Sequence, residues 1–109
     1  MKMRAEVILS PGEVCQHELA GKTCVVIDVF RFTTTILTAL EAGIERFCPV
    51  EEVEEAVRLK EANPQLLLAG ERQALKVPGF DFGNSPLEHA NRSYSGGELV
   101  CTTTNGTRA

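Results

Sequence analysis

The sequence of 109 residues contains no tryptophan, and aromatic residues make up only 6% of it. Its apolar runs are much shorter than the roughly 18 to 20 residues that a membrane-spanning helix needs, and the N-terminus lacks the apolar core of a signal peptide. We therefore expect a cytoplasmic protein with no membrane partner. Hydrophobic residues make up 43% of the chain and charged residues 24%, which is typical of a globular domain.

The chain also lacks a cluster of basic residues. Its formal net charge is -4 at pH 7, and no run rich in Lys and Arg occurs. Because the phosphate backbone of a nucleic acid is bound by clustered cations, we expect no nucleic-acid partner. A small anionic substrate would instead be held by individual Arg side chains, backbone N–H groups or a metal ion.

The four cysteines form no C-x-x-C pair, and no Cys/His group has zinc-finger spacing. Cys24, Cys48 and Cys101 each lie in or beside an apolar run, where a reduced thiol behaves as a small hydrophobic side chain. We therefore expect reduced and buried cysteines.

Apolar runs of strand type alternate with stretches of helical periodicity along the chain. Residues 24–30 are rich in β-branched side chains and almost continuously apolar, and we expect them to form the central strand. The alternation predicts βαβ units, and hence an α/β fold with a largely parallel or mixed sheet. The predicted strands are 3–9, 24–30, 44–50, 66–69 and 98–102, and the predicted helices are 33–42, capped by Gly43, and 51–62.

After the last predicted strand, residues 103–109 carry helix-capping side chains, but no helix follows. One face of the sheet would then stay uncovered, so we expect a truncated chain. A length of 109 residues fits one domain. Residues 1–109 are predicted to form the N-terminal part of a single α/β domain.

Polar residues follow several of the apolar runs, and ligands of open α/β sheets bind beyond the carboxyl ends of strands. Asp28 lies inside an apolar run, where an unpaired carboxylate is unfavourable. It is either a ligand of Mg²⁺, which prefers carboxylate, phosphate and water oxygens, or the partner of Arg31 or Arg72 in an ion pair. The residues alone favour the two interpretations about equally.

Two further groups of polar residues follow the third buried run. Glu71 and Arg72 come directly after it, so that one can face a metal and the other an anion, although a surface salt bridge explains them about as well. Asp81, Asn84 and Ser85 bring a carboxylate, an amide and a hydroxyl to a glycine-rich loop. The alternative for these three is a structural turn rich in Asp and Asn.

The run of threonines at 102–107 offers hydroxyl groups and free amides at the start of a predicted helix, which is a natural anion site. Residues 33–35 repeat this arrangement after Asp28, and simple helix capping explains either run alone. His17 and His89 are expected to have surface or capping roles. No Ser/His/Asp arrangement and no nucleotide-binding glycine motif is present.

Four ordered motifs resemble those of the 2-phosphosulfolactate phosphatase family, and the match covers nearly the whole chain. The family resemblance implies a three-layer α/β/α fold, a full length about twice that of this chain, and Mg²⁺-dependent hydrolysis of (2R)-2-phospho-3-sulfolactate to 3-sulfolactate and phosphate, a step of coenzyme M biosynthesis. The motifs are Asp28-Val29-Phe30-Arg31-Phe32-Thr33-Thr34-Thr35-Ile36, Gly70-Glu71-Arg72, Gly79-Phe80-Asp81-Phe82-Gly83-Asn84-Ser85-Pro86 and Thr102-Thr103-Thr104-Asn105-Gly106-Thr107-Arg108.

From this resemblance and from phosphate chemistry we assign roles to the motif residues. Carboxylates are expected to hold the metal or orient water, arginines to bind phosphate, sulfonate or carboxylate oxygens, and neutral donors to complete the site. Phe30, Phe32 and Ala74 depart from the family pattern and bear on the shape of the pocket. The predicted catalytic and metal residues are Asp28, Glu71 and Asp81, and the predicted substrate-binding residues are Arg31, Arg72, Asn84, Ser85, Thr103, Thr104, Asn105 and Arg108.

Two alternatives to this activity stay open. One is a different substrate, another phosphorylated hydroxy acid, since relatives occur in bacteria outside the coenzyme M pathway. The other is a binding module that holds a phosphorylated ligand without turnover. A homo-oligomer is also compatible with the sequence.

Overall fold

A computed structural model describes all 109 residues. Its regular elements follow one another as α1 Thr34–Glu41, β1 Arg46–Pro49, α2 Val53–Ala62, β2 Leu67–Arg72, β3 Leu75–Lys76, α3 Leu87–Ala90 and β4 Glu98–Thr102. Short helical turns also occur at Pro11–Gln16, Val29–Thr33 and Gly106–Arg108. None of the helices has the length and apolar character required to cross a membrane.

The strands form one mixed sheet in the order β1-β4-β2-β3. Strand β4 pairs in parallel with both β1 and β2, and Leu99 lies opposite Phe47 on one side and Leu67 on the other. Strand β3 pairs antiparallel with β2 through a two-residue turn between Arg72 and Leu75. The mixed α/β sheet is confirmed, and its two interior strands are β4 and β2.

Helices cover both faces of the sheet. Successive side chains of a strand point to opposite faces, and in β4 Leu99 and Cys101 pack on the side of α1 while Val100 packs on the side of α2. Ala39 of α1 and Ala56 of α2 are both buried in these two clusters. This arrangement confirms the three-layer α/β/α fold.

The end of α1 matches the predicted glycine cap. Gly43 follows the helix with φ of +113°, and a Cβ at this position would collide with the carbonyl oxygen of Tyr94. The amide of Tyr94 donates to the carbonyl of Ala42 at 2.7 Å, which ties the loop before β4 to the end of α1. Gly43 thus ends the helix and admits the close approach of a second segment.

The predicted strands 3–9 and 24–30 were wrong, because neither segment forms a strand. Val25 and Ile27, expected in the centre of the sheet, are 80% and 82% exposed. A strand forms only where its backbone groups find a hydrogen-bonded neighbour, and the three parallel strands pair with one another instead. An apolar pattern shows what a segment can bury but does not show which strand it pairs with.

All four cysteines are free, as predicted, but the prediction that they are buried holds only for some of them. Cys24 and Cys15 are exposed and Cys48 is half-buried, so burial was wrongly predicted for Cys24. Cys101, in the middle of β4, is buried, and the loss of solvent raises the pKa of its thiol to about 12. Cys101 therefore behaves as a core side chain.

Candidate active site

A cavity of about 280 Å³ opens at the carboxyl ends of β2 and β4. Ligands of open α/β sheets bind at this edge, where loops from neighbouring strands converge. All four motif segments contribute residues to its lining, and the turn after β2 adds two more. The lining consists of Asp28, Phe30, Arg31, Phe32, Glu71, Gln73, Ala74, Asn84, Thr103, Thr104, Asn105 and Gly106.

The cavity brings together most of the predicted site residues. Two of the three predicted carboxylates, Asp28 and Glu71, lie in its wall, together with Arg31 and the amide of Asn84. The threonine-rich loop adds further polar groups. The predicted substrate-binding residues present in the lining are Arg31, Asn84, Thr103, Thr104 and Asn105.

The segment that carries Asp28 and Arg31 is fixed by its backbone. The amide of Thr33 donates to the carbonyl of Asp28 at 3.2 Å, which closes a turn around Arg31. The buried hydroxyl of Thr35 lies 2.8 Å from the carbonyl of Arg31 and 3.2 Å from that of Asn84. Thr35 therefore joins the first and third motifs behind the cavity, and no ion pair joins Asp28 to an arginine.

Glu71, at the end of β2, is 8% exposed and accepts three hydrogen bonds. Its Oε1 accepts from the amide of Thr104 at 2.7 Å, and its Oε2 accepts from the hydroxyl of Thr104 and the amide of Ala74, both at 2.9 Å. Burial raises the pKa of this carboxyl, but the hydrogen bonds outweigh burial and hold the pKa below its ordinary value. Glu71 is therefore a firmly ionised group.

The loop after β4 closes on itself through two threonines. The amide of Thr103 donates to the hydroxyl oxygen of Thr107 at 3.0 Å, and the amide of Thr107 donates to that of Thr103 at 3.0 Å. Gly106 packs against the ring of Phe32 so closely that a Cβ there would collide with the ring. The amide of Thr103 is thus already used within the protein, and the loop packs on an aromatic side chain.

The turn between β2 and β3 adds Gln73, which the sequence did not predict, and Ala74, which was expected only to bear on the shape of the pocket. Gln73 and Ala74 have φ of +53° and +65°, a left-handed conformation that side chains with a Cβ rarely adopt. The amide of Gln73 donates to the hydroxyl oxygen of Thr104 at 3.3 Å. A two-residue turn of this kind usually contains Asn-Gly, so Gln-Ala gave no signal for it.

Phe30 and Phe32 were expected to bear on the shape of the pocket but were given no site role, and Gly106 was not predicted at all, although a signal existed for it. The two phenylalanines flank Arg31 in the first motif, and Gly106 lies inside the fourth. The rings of Phe30 and Phe32 form part of the cavity wall, so these residues help to determine the shape of the cavity. Residues adjacent in sequence to a predicted polar residue at the end of a strand therefore line the same cavity.

Arg72 does not line the cavity. Its guanidinium donates to the carbonyls of Glu71 at 2.8 Å and Glu51 at 3.0 Å, and to the hydroxyl of Thr102 at 2.7 Å. These contacts join the ends of β2 and β4 to the loop before α2. The side chain therefore ties the sheet together on the other side of the strand from Glu71.

Asp81 also lies away from the cavity. Its Oδ2 accepts from the amide of Leu68 at 2.8 Å and lies 3.6 Å from Nζ of Lys60. The chain folds back along β2, so that Asp81 is level with the start of the strand and not with its end. The three predicted metal carboxylates are therefore not brought together.

The last two predicted residues, Ser85 and Arg108, lie outside the cavity lining. The amide of Ser85 lies 3.4 Å from a carboxylate oxygen of Glu88, which also accepts from the amide of Gly83. Arg108 is paired at the surface with Glu52 at 3.2 Å. Both have local structural contacts here.

His89 is fully buried, so the predicted surface or capping role was wrong. Its Nδ1 lies 2.9 Å from the hydroxyl of Tyr94, its ring lies 4.8 Å from that of Phe82, and its Nε2 has no hydrogen-bond partner. Burial lowers the pKa of its imidazole. A neutral His89 thus supports the segment that leads to Asn84 from behind.

The sequence model of the family described as 2-phosphosulpholactate phosphatase matches residues 8–109. The chain belongs to this family. The match confirms the resemblance on which the four motifs were assigned. It includes all of the residues that line the cavity.

Three similar curated relatives are each named probable 2-phosphosulfolactate phosphatase. The relative from Clostridium acetobutylicum is 45% identical over 108 residues, covering 98% of this chain and 46% of the relative. The relative from Clostridium perfringens strain 13 is 46% identical over 111 residues, covering 98% and 45%. The relative from Symbiobacterium thermophilum is 51% identical over 95 residues, covering 85% and 41%. The chain therefore spans less than half the length of these relatives.

The cavity offers the oxygen donors that a hard divalent cation prefers. No group of three or more His, Cys, Asp or Glu side chains is positioned to hold a metal ion. A magnesium ion, however, uses one or two carboxylates and fills its remaining positions with water and substrate phosphate. Asp28 fits such a site because its half-buried carboxylate lines the cavity and is free of ion pairs.

Proposed function

We propose that the protein is a phosphatase that hydrolyses (2R)-2-phospho-3-sulfolactate to 3-sulfolactate and phosphate. The observation that carries the proposal is the cavity at the carboxyl ends of β2 and β4, which combines Asp28, Arg31 and a threonine-rich loop in a chain of this family. Because the chain spans less than half the length of its relatives, the proposal concerns the activity of the whole protein. The coenzyme M pathway is the corresponding proposal for its place in metabolism.

Recognition of the substrate would depend on side chains whose polar groups are not used within the protein. The guanidinium of Arg31 is exposed at the cavity and forms no ion pair. Its planar fork can bind two oxygens of a phosphate, sulfonate or carboxylate group at once. The amides of Asn84 and Asn105 would add neutral donors from two other loops.

Asp28 is the residue that would hold Mg²⁺, since Glu71 already accepts three hydrogen bonds. When bound, Mg²⁺ supplies Lewis acidity to the phosphoryl oxygens and lowers the pKa of a water ligand. Arg31 would keep the phosphoryl group in place and offset its negative charge.

The reaction itself requires an attack on phosphorus in line with the leaving oxygen. The oxygen atom of water forms the new bond to phosphorus, and the bond between phosphorus and the oxygen on carbon 2 breaks. The released alkoxide takes up a proton to give the hydroxyl group of sulfolactate. The cavity contains no Ser or Cys nucleophile. Attack by the carboxylate of Asp28 is the alternative route. It would form an aspartyl phosphate as the bond from phosphorus to the oxygen on carbon 2 breaks, and water would then release phosphate from it. Acid quenching during turnover would trap phosphate on the protein only by this route.

A second candidate is a module that binds a phosphorylated ligand without turnover. The contacts of two predicted carboxylates favour it, because Asp81 and Glu71 both accept hydrogen bonds from amides within the protein. Another phosphorylated hydroxy acid is the alternative substrate for the enzyme. Both candidates use the same cavity and differ in whether phosphate is released.

The test measures phosphate release from (2R)-2-phospho-3-sulfolactate with and without Mg²⁺. We expect release that requires Mg²⁺, is lost in Asp28→Asn and is kept in the matched control Glu54→Gln, whose exposed carboxylate lies on α2. Tight binding without release would establish the binding module. Release that persists in Asp28→Asn would show that the chemistry does not use this cavity.

A further inference from the structure

The geometry assigns to Glu71 the role of a positioning residue, which locks the turn at Gln73 and Ala74 onto the loop at Thr103–Asn105, and we propose that it is neither a metal ligand nor a general base. This inference rests on the proposed function, because the two locked segments form one wall of the cavity. It differs from the expectation that every carboxylate at the site holds the metal.

The contacts of Glu71 come from two segments that are far apart in the sequence. Thr104 contributes its amide at 2.7 Å and its hydroxyl at 2.9 Å, and Ala74 contributes its amide at 2.9 Å. Hydrogen bonds to an ionised acceptor are short and stronger than those between neutral groups. One side chain thus fixes the ends of both segments against β2.

The turn depends on such an anchor because its backbone is strained. Both Gln73 and Ala74 are in the left-handed region, which side chains with a Cβ avoid. A strained conformation persists only where surrounding contacts hold it. The carboxylate of Glu71 and the hydroxyl of Thr104 supply these contacts at the two amides of the turn.

The same contacts make Glu71 a poor metal ligand and a poor base. A metal ion at its oxygens would compete with three donors and would release the amides of Thr104 and Ala74. A general base works best with a pKa near the working pH, whereas hydrogen bonds hold the pKa of Glu71 below its ordinary value. Asp28 lines the same cavity without such donors.

The locked segments present two side chains to the cavity. Gln73 donates its own amide to Thr104 and precedes Ala74, whereas Asn105 follows Thr104, and both Gln73 and Asn105 line the cavity. Their side-chain amides are therefore placed by the backbone that Glu71 fixes. Loss of the lock is expected to move these donors and to weaken the binding of an anion without removing any group that touches it.

The test compares Glu71→Gln with the unchanged protein and needs no turnover. Glutamine keeps the shape of the side chain but replaces one oxygen with an NH₂ group that faces donors. We expect the amides of Thr104 and Ala74 to exchange hydrogen about tenfold faster or more, and the amides in the centre of β4 to exchange as before. The dissociation constant for inorganic phosphate should rise about tenfold, while that for Mg²⁺ should change less than about twofold.

Asp28→Asn is the comparison variant for the metal, since it should weaken Mg²⁺ binding and leave the exchange of both amides unchanged. A fall in Mg²⁺ affinity in Glu71→Gln as large as that in Asp28→Asn would show that Glu71 is a ligand and overturn the inference. Unchanged exchange of the two amides would overturn it as well.

If Glu71→Gln does not fold, Thr104→Val provides the second measurement. This variant keeps the amide of Thr104 and removes its hydroxyl, which both donates to Glu71 and accepts from Gln73. Faster exchange at Gln73 and Ala74 with unchanged Mg²⁺ affinity supports the lock, and unchanged exchange contradicts it. A protein that binds no phosphate at all would contradict the proposed function, while the exchange data would still decide the role of Glu71.

Discussion

The two walls of the cavity are built in different ways. On the wall formed by the turn after β2 and the loop after β4, the amides of Thr103, Thr104 and Ala74 and the hydroxyl of Thr104 donate within the protein, and Glu71 accepts three of these four hydrogen bonds. On the wall formed by the first motif, Asp28 and Arg31 face the cavity without an ion pair. Polar residues of the same types therefore hold one wall together through hydrogen bonds, whereas on the other wall their polar groups remain available to bind a ligand.

The largest expected effect is that of Asp28→Asn on turnover. Loss of the charge that would hold the metal is expected to lower kcat about 100-fold or more, with little change in melting temperature. Asp81→Asn makes the comparison sharper, because Asp81 lies away from the cavity and its loss of an exposed ion pair should lower stability by less than about 1 kcal/mol. Steady-state kinetics and thermal melts of both variants check this, and equal losses of kcat would break the comparison.

The next effect concerns Arg31. Arg31→Ala removes a charge-assisted contact to the substrate worth about 1.5 to 3 kcal/mol, which corresponds to a KM raised by about tenfold or more. Arg72→Lys is the informative counterpart, since Arg72 holds β2, β4 and the loop before α2 together and should affect the melting temperature before KM. A KM unchanged in Arg31→Ala would remove this side chain from the substrate site.

A smaller effect is expected at the strained turn. Ala74→Gly relieves the left-handed conformation of Ala74, whose φ is +65°, and should stabilise the protein by about 0.5 to 1 kcal/mol. The matched control Ala62→Gly lies at the end of α2 and should instead lower stability by up to about 1 kcal/mol. Urea unfolding of both variants gives the two signs. A destabilised Ala74→Gly would mean that the turn is not strained as described.

The smallest effect is the pH dependence that comes from His89, behind Asn84. Burial lowers the pKa of His89 in the folded protein below its ordinary 6.5, so below that pH the unfolded chain binds a proton that the folded protein does not. Stability should therefore fall as the pH drops below about 6.5, before Glu71 begins to titrate at its lower pKa. Urea unfolding between pH 7.5 and 5 measures the loss. It should be smaller in His89→Gln, and an equal loss in that variant would assign it to other groups.

Part of the site could be predicted because the carboxyl ends of parallel strands meet at one edge. This rule brought Glu71, Thr103 and Thr104 together from the ends of β2 and β4. It failed for Asp81, because the chain folds back after β2 and places that residue level with Leu68. The spacing of a motif shows that a loop carries polar residues. The path of that loop relative to the sheet depends on its contacts with other segments of the chain.

The fold class could be predicted, but the place of each strand in the sheet could not. The alternation of apolar runs predicted the α/β layers, which depend only on local pattern. The interior positions of the sheet are held by Glu98–Thr102 and Leu67–Arg72 and not by residues 24–30, because strand position is decided by backbone pairing between distant segments. The same limit explains why Cys24 is exposed while Cys101 is buried.

The difference between the two walls is tested most directly by calorimetric titration of inorganic phosphate into the protein and into Arg31→Ala and Glu71→Gln, with a thermal melt of each sample. We expect Arg31→Ala to weaken phosphate binding at an unchanged melting temperature, and Glu71→Gln to weaken binding and lower the melting temperature together. Unchanged affinity in Arg31→Ala, or an unchanged melting temperature in Glu71→Gln, would contradict the account.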